Sequence, residues 1–81
     1  MEQVRNKDKR NAKIPNLRKS DLEYLINEFI VGRNAERNRA IMKRRLIDGI
    51  YFESLAEEFD MPVRQIKNIV YTNTQVIIKH L

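Results

Sequence analysis

The stretch Glu53-Ser54-Leu55-Ala56-Glu57-Glu58-Phe59-Asp60-Met61-Pro62-Val63-Arg64-Gln65-Ile66-Lys67-Asn68-Ile69-Val70-Tyr71-Thr72 decides the fold of this 81-residue chain. Leu55, Ala56 and Phe59 fall on one face of a short helix, and Pro62 prevents that helix from continuing smoothly. From Val63 a second helical pattern begins, with Ile66, Ile69 and Val70 at its apolar positions. Two helices split by so short an interruption cross steeply, which is the helix-turn-helix arrangement. Such a crossing needs a small residue where the backbones approach, and Ala56 supplies it. It needs a residue that tolerates the left-handed conformation at the bend, and Asp60 is among the few non-glycine types that do. Met61 can fold into the angle between the helices, and Ile66 and Ile69 return to pack on Leu55, Ala56 and Phe59.

The outward face of the second helix follows from an advance of about 100° per residue. Ile66, Ile69 and Val70 share one side. Arg64, Asn68 and Tyr71 point the opposite way, flanked by Gln65, Lys67 and Thr72, and no acid occurs between Val63 and Leu81. Arginine pairs bidentately with guanine in the major groove, and asparagine or glutamine with adenine. Lysine and tyrosine suit phosphate oxygens. The spacing therefore predicts duplex DNA recognition by the helix at 63–72, through Arg64, Gln65, Lys67, Asn68, Tyr71 and Thr72. A plain solvated face on a helical hairpin is the alternative reading of the same residues.

Upstream, Ser20-Asp21-Leu22-Glu23 has the form of a capping box, and Leu22, Leu25, Ile26 and Phe29 recur at helical spacing. With Gly32 as a left-handed stop, a first helix over 21–31 is expected. Asn34 can cap a second helix whose apolar contacts are Ala35, Ile41, Met42, Leu46 and Ile47, with Gly49 ending it. Its polar positions carry Arg33, Arg37, Arg39, Lys43, Arg44 and Arg45, either a solvated face or a set of phosphate contacts. Ile77 and Leu81 extend the apolar pattern of the last helix. No strand alternation appears, and only two glycines and two prolines interrupt the chain. An all-α, four-helix domain over 20–81 is predicted.

Residues 1–19 hold seven bases and two acids, equal to the whole net charge of +5. Few aliphatic residues and Pro15 mark this segment as a basic flexible arm, disordered on its own. It is either a solubilising tail or an arm that settles on phosphates. Candidate phosphate contacts are Arg10, Lys13, Arg18 and Lys19 in this segment, and Arg37, Arg44 and Arg45 beyond it. The absence of cysteine excludes a disulfide framework, a thiolate zinc site and a cysteine nucleophile. A small, basic, cysteine-free chain fits the cytoplasm, and no apolar run approaches a membrane span.

Residues 39–71 resemble the C-terminal, promoter-reading region of bacterial sigma factors, and are similar to small phage-borne sigma-like proteins. The glycine before the family's hydrophobic-alanine-glutamate helix is matched by Gly49 and Leu55-Ala56-Glu57. The start of its recognition helix is matched by Val63-Arg64-Gln65-Ile66-Lys67. The resemblance implies a four-helix layout, with Arg64, Gln65, Lys67 and Asn68 facing bases and phosphates. Two departures stand out: Asp60 replaces the usual glycine, and Pro62 replaces a serine or threonine whose hydroxyl cap is worth on the order of 1 kcal/mol. No second domain for binding core polymerase or melting a promoter accompanies the match, which points to a stand-alone transcription regulator of phage or mobile-element type.

Other chemistry is weakly represented. His80 has no cysteine or second histidine to share a metal. Glu53, Glu57 and Glu58 form a carboxylate group without an accompanying base or nucleophile. Gly32 and Gly49 are isolated, so no phosphate loop exists. Neither an enzyme nor a cofactor is expected. The competing class is a protein-interaction adaptor that binds RNA polymerase or another DNA-processing machine, suggested by the acidic 53–60 helix. Val76, Ile77, Ile78 and Leu81 either complete the core against Leu22, Leu25 and Phe29 or form a homodimer seam, so monomer and homodimer both remain open.

Overall fold

The computed structural model describes residues 17–81 and contains four α-helices and no strand among them: α1 (Lys19–Phe29), α2 (Ala35–Leu46), α3 (Phe52–Phe59) and α4 (Val63–Lys79). Most of the 1–19 arm, with Arg10 and Lys13, lies outside the described residues. No described helix is long and apolar enough to cross a membrane.

The first helix sits two residues earlier than the spacing predicts. Arg18, in extended conformation, takes the N-cap position, and its backbone N–H donates to the Asp21 carboxylate at 3.4 Å. Ser20 is an exposed helical residue, not the cap. An acid in the first turn favours this start, because it lies beside the unpaired N–H groups. At the other end Ile30 leaves the helix at φ −90°, ψ 97° and is only 1% exposed. Burying its side chain outweighs one more turn of exposed helix, so α1 stops at Phe29 rather than at residue 31. The reversal that follows uses Gly32 at φ +110°, a conformation costly for any residue with a Cβ.

Arg39 secures this corner, donating from Nε to the Ile30 carbonyl at 2.7 Å. α2 begins after Asn34 as expected, although the asparagine side chain makes no capping hydrogen bond. Glu36 in the first turn and Lys43, Arg44 and Arg45 in the last complement the helix dipole. α2 ends at Leu46, three residues before Gly49. The N–H groups of Asp48 and Ile50 fold back to the carbonyls of Lys43 and Arg44, and Arg45 Nη1 donates to the Ile50 carbonyl at 3.0 Å.

The core is made of Ile26, Ile30, Ile41, Met42, Leu55, Ile66, Val70 and Ile77, with at least one residue from every helix. Each such side chain removed from water contributes about 1.5–3 kcal/mol. α4 packs against all three other helices. Its first half lies with α3, and its second half brings buried Ile77 and half-buried Val76 and Ile78 into the domain. Ile77 belongs to the core and Val76 packs against it. Leu81 does not: α4 ends at Lys79, and Leu81 stays about half exposed. His80 stacks on Phe29 with ring centroids 3.9 Å apart, and its Nδ1 lies 2.9 Å from the Val76 carbonyl.

Candidate nucleic-acid interface

Residues 20–81 carry nine basic and nine acidic side chains, so this part of the chain is neutral as a whole. A surface for a polyanion must come from the sorting of charge, and α4 is where it is sorted. Between Val63 and Leu81 there are two lysines and one arginine but no carboxylate.

The turn leading into α4 sets its direction. Asp60 adopts φ 55°, ψ 51°, the left-handed region. Its N–H donates to the Glu57 carbonyl at 3.3 Å, and that of Met61 donates to the Ala56 carbonyl at 2.9 Å. These are the two backbone bonds of a Schellman motif, here built without glycine. Ala56 and Met61 are half-buried and packed against the core. Pro62 then stands at the N-cap with φ −64°, a value its ring imposes anyway, and offers no side-chain cap. Its carbonyl accepts from Gln65 and Ile66. The first turn of α4 holds no acid, so no side chain of that turn offsets the partial positive charge at this helix end.

All six residues predicted for base and phosphate contact are exposed on α4: Arg64, Gln65, Lys67, Asn68, Tyr71 and Thr72. Ile66 and Val70, on the opposite side of the same turns, are buried. The helix is longer than the predicted 63–72 segment, running unbroken to Lys79, and Asn73 Nδ2 donates to the Ile69 carbonyl at 2.7 Å. Only the first half of α4 thus presents the candidate surface, while the second half secures it.

The other candidate phosphate contacts separate. Arg18 and Lys19 are exposed at the start of α1, with Arg18 3.8 Å from Asp21. Arg37 is turned to Asn38 Oδ1, at 3.2 and 3.1 Å from Nε and Nη2. Arg44 is already engaged by protein: it grips the Glu58 carboxylate with Nε and Nη2, the shortest contact being 2.9 Å, and reaches Asp48 with Nη1 at 3.2 Å. Those hydrogen bonds, to Glu58 first and Asp48 second, raise its pKa above the ordinary value. They also offset part of the acidic charge of α3. Arg45 instead lays its guanidinium 4.1 Å over the ring of Phe52.

Phe52 is the residue the sequence does not single out. Its ring receives Arg45 from α2 and the Lys67 ammonium at 5.7 Å from α4, and forms a T-shaped pair with Tyr71 at a centroid distance of 6.0 Å. The sequence carries one signal of it, an aromatic pair Tyr51-Phe52 entering an otherwise acidic helix. No local periodicity links Phe52 to positions seven residues upstream and fifteen or nineteen downstream.

No protein-family model, curated protein or solved structure matches this chain.

Proposed function

We propose that this chain is a sequence-specific double-stranded DNA-binding protein, a small transcription regulator of phage or mobile-element type. In this reading α3 and α4 form a helix-turn-helix, and residues 63–72 enter the major groove. One observation carries it: Arg64, Gln65, Lys67, Asn68, Tyr71 and Thr72 are exposed together on an acid-free helix whose other side, Ile66 and Val70, is anchored in the core. Donors of this kind on a rigid helix match the hydrogen-bond pattern of base edges and phosphates. The resemblance of residues 39–71 to promoter-reading regions of sigma factors agrees with this assignment. RNA polymerase is a second partner in keeping with it.

The test is selection from a randomised duplex library at about 150 mM salt, where non-specific binding is only about 10⁻⁴–10⁻⁶ M. An enriched motif is expected, and inverted half-sites within it would show binding as a dimer. Arg64→Ala and Asn68→Ala should each cost about 1–3 kcal/mol on the selected site and relax preference at one position. No enrichment, or unchanged affinity in both variants, would refute the proposal.

A further inference from the structure

Arg44 and Arg45 are neighbours on α2 with opposite surroundings. Arg44 faces two carboxylates, whereas Arg45 has only the face of Phe52 and the Ile50 carbonyl, the latter at 3.0 Å from its Nη1. Lys67 brings a second cation to the same ring, 5.7 Å from its centroid. Among the described residues neither Arg45 nor Lys67 makes an ion pair. Two positive charges drawn to one ring repel each other, and the ring's quadrupole offsets this only in part. An anion that reached both would offset this repulsion. Tyr71, one helical turn beyond Lys67, stands nearly perpendicular to the Phe52 ring and is 57% exposed.

We propose that Arg45, Lys67 and Tyr71, organised by Phe52, form a phosphodiester-binding site that grips the DNA backbone bordering the groove entered by α4. It rests on the DNA-binding reading above and goes beyond it. It joins three helices into one contact, gives Phe52 a positioning role, and leaves Arg44 out. Arg45 supplies planar guanidinium donors held by stacking, and Lys67 a compact charge. The Tyr71 hydroxyl can donate to a phosphate oxygen. Because Lys67 and Tyr71 bracket Asn68 on α4, a phosphate held here fixes how far and at what angle the base-facing side chains enter the groove. The contact reads no base, so its contribution is the same on every sequence.

The experiment is a fluorescence-anisotropy titration of the full chain with the library-selected duplex and with a scrambled duplex of equal length, over a series of salt concentrations. Lys67→Gln and Arg45→Gln should each lower the salt slope by about one, with equal loss on both duplexes. Lys67 is exposed and lies outside the core, so its variant folds as the parent does. Phe52→Leu removes no charge, yet should weaken both duplexes alike when titrated well below the variant's own melting temperature, where it is fully folded. If the parent protein binds duplex, an unchanged slope in Lys67→Gln, or a loss confined to the selected duplex, overturns this site while the DNA-binding reading stands. An unaffected Phe52→Leu removes the positioning role and overturns the composite site. A parent protein that binds neither duplex overturns both readings, and the balancing anion is then to be sought as a carboxylate on a protein partner.

Discussion

Substitution at Asp60 probes the turn that aims α4. At φ 55°, ψ 51° an L-residue bears a clash between Cβ and the backbone that costs about 1–2 kcal/mol, less for Asp because its short polar side chain can hydrogen-bond locally. Asp60→Gly removes the clash, while the freedom glycine adds to the unfolded chain takes back about 0.4–1 kcal/mol. The net result should lie between no change and a gain of about 1 kcal/mol, a rise of up to about 4–8 °C in Tm for a domain of this size. Asp60→Ala keeps the Cβ and gives up the tolerance of the left-handed region that a short polar side chain brings, so it should destabilise by about 0.5–1 kcal/mol. Asp60→Val adds β-branching where it is poorly tolerated and should cost about 2 kcal/mol or more. The backbone bonds from Asp60 and Met61 are formed whatever the side chain, so the series isolates this strain. Thermal and urea unfolding followed by far-ultraviolet circular dichroism, at fixed pH and salt, should rank the residues Gly, Asp, Ala, Val. Valine as stable as glycine would refute a left-handed residue at this position, and with it the account of how α4 is directed.

Truncating the buried side chain of Ile66 or Ile77 to alanine should cost about 2–5 kcal/mol, whereas Leu81→Ser should stay within about 0.5 kcal/mol, as measured by chemical denaturation. Removing residues 1–16, which leaves α1 and its Arg18 cap intact, should weaken binding to all duplexes alike and flatten the salt slope; a loss on one sequence only would contradict a backbone-binding arm. Glu53 and Glu57 are exposed, whereas Glu58 is paired with Arg44. Reversing Glu53 and Glu57 to lysine should therefore strengthen duplex binding if α3 merely lies beside the DNA. In a polymerase pull-down, loss of capture by that double variant with unchanged DNA affinity would favour the adaptor reading. Reversing Glu58 instead would break the Arg44 pair and confuse the two effects.

The chain's local patterns determine the helices and the inward face of each. Leu55, Ile66 and Val70 recur at helical spacing next to a proline that cannot continue a helix, so the α3–α4 bend and the exposure of Arg64, Lys67 and Asn68 follow from short-range sterics and periodicity. The left-handed Asp60 is legible for the same reason, since its tolerance is a property of the residue itself. Helix ends are less legible, because they depend on which side chain the core accepts. Ile30 leaves α1 to be buried, and Leu81 is left outside although it continues an apolar stripe. Only the packing of three helices separates Arg44 from its neighbour Arg45, giving one to Glu58 and the other to Phe52. A charge's partner lies across space rather than along the chain. The sorting of an overall neutral domain into one acid-free face and one engaged arginine therefore belongs to the tertiary structure.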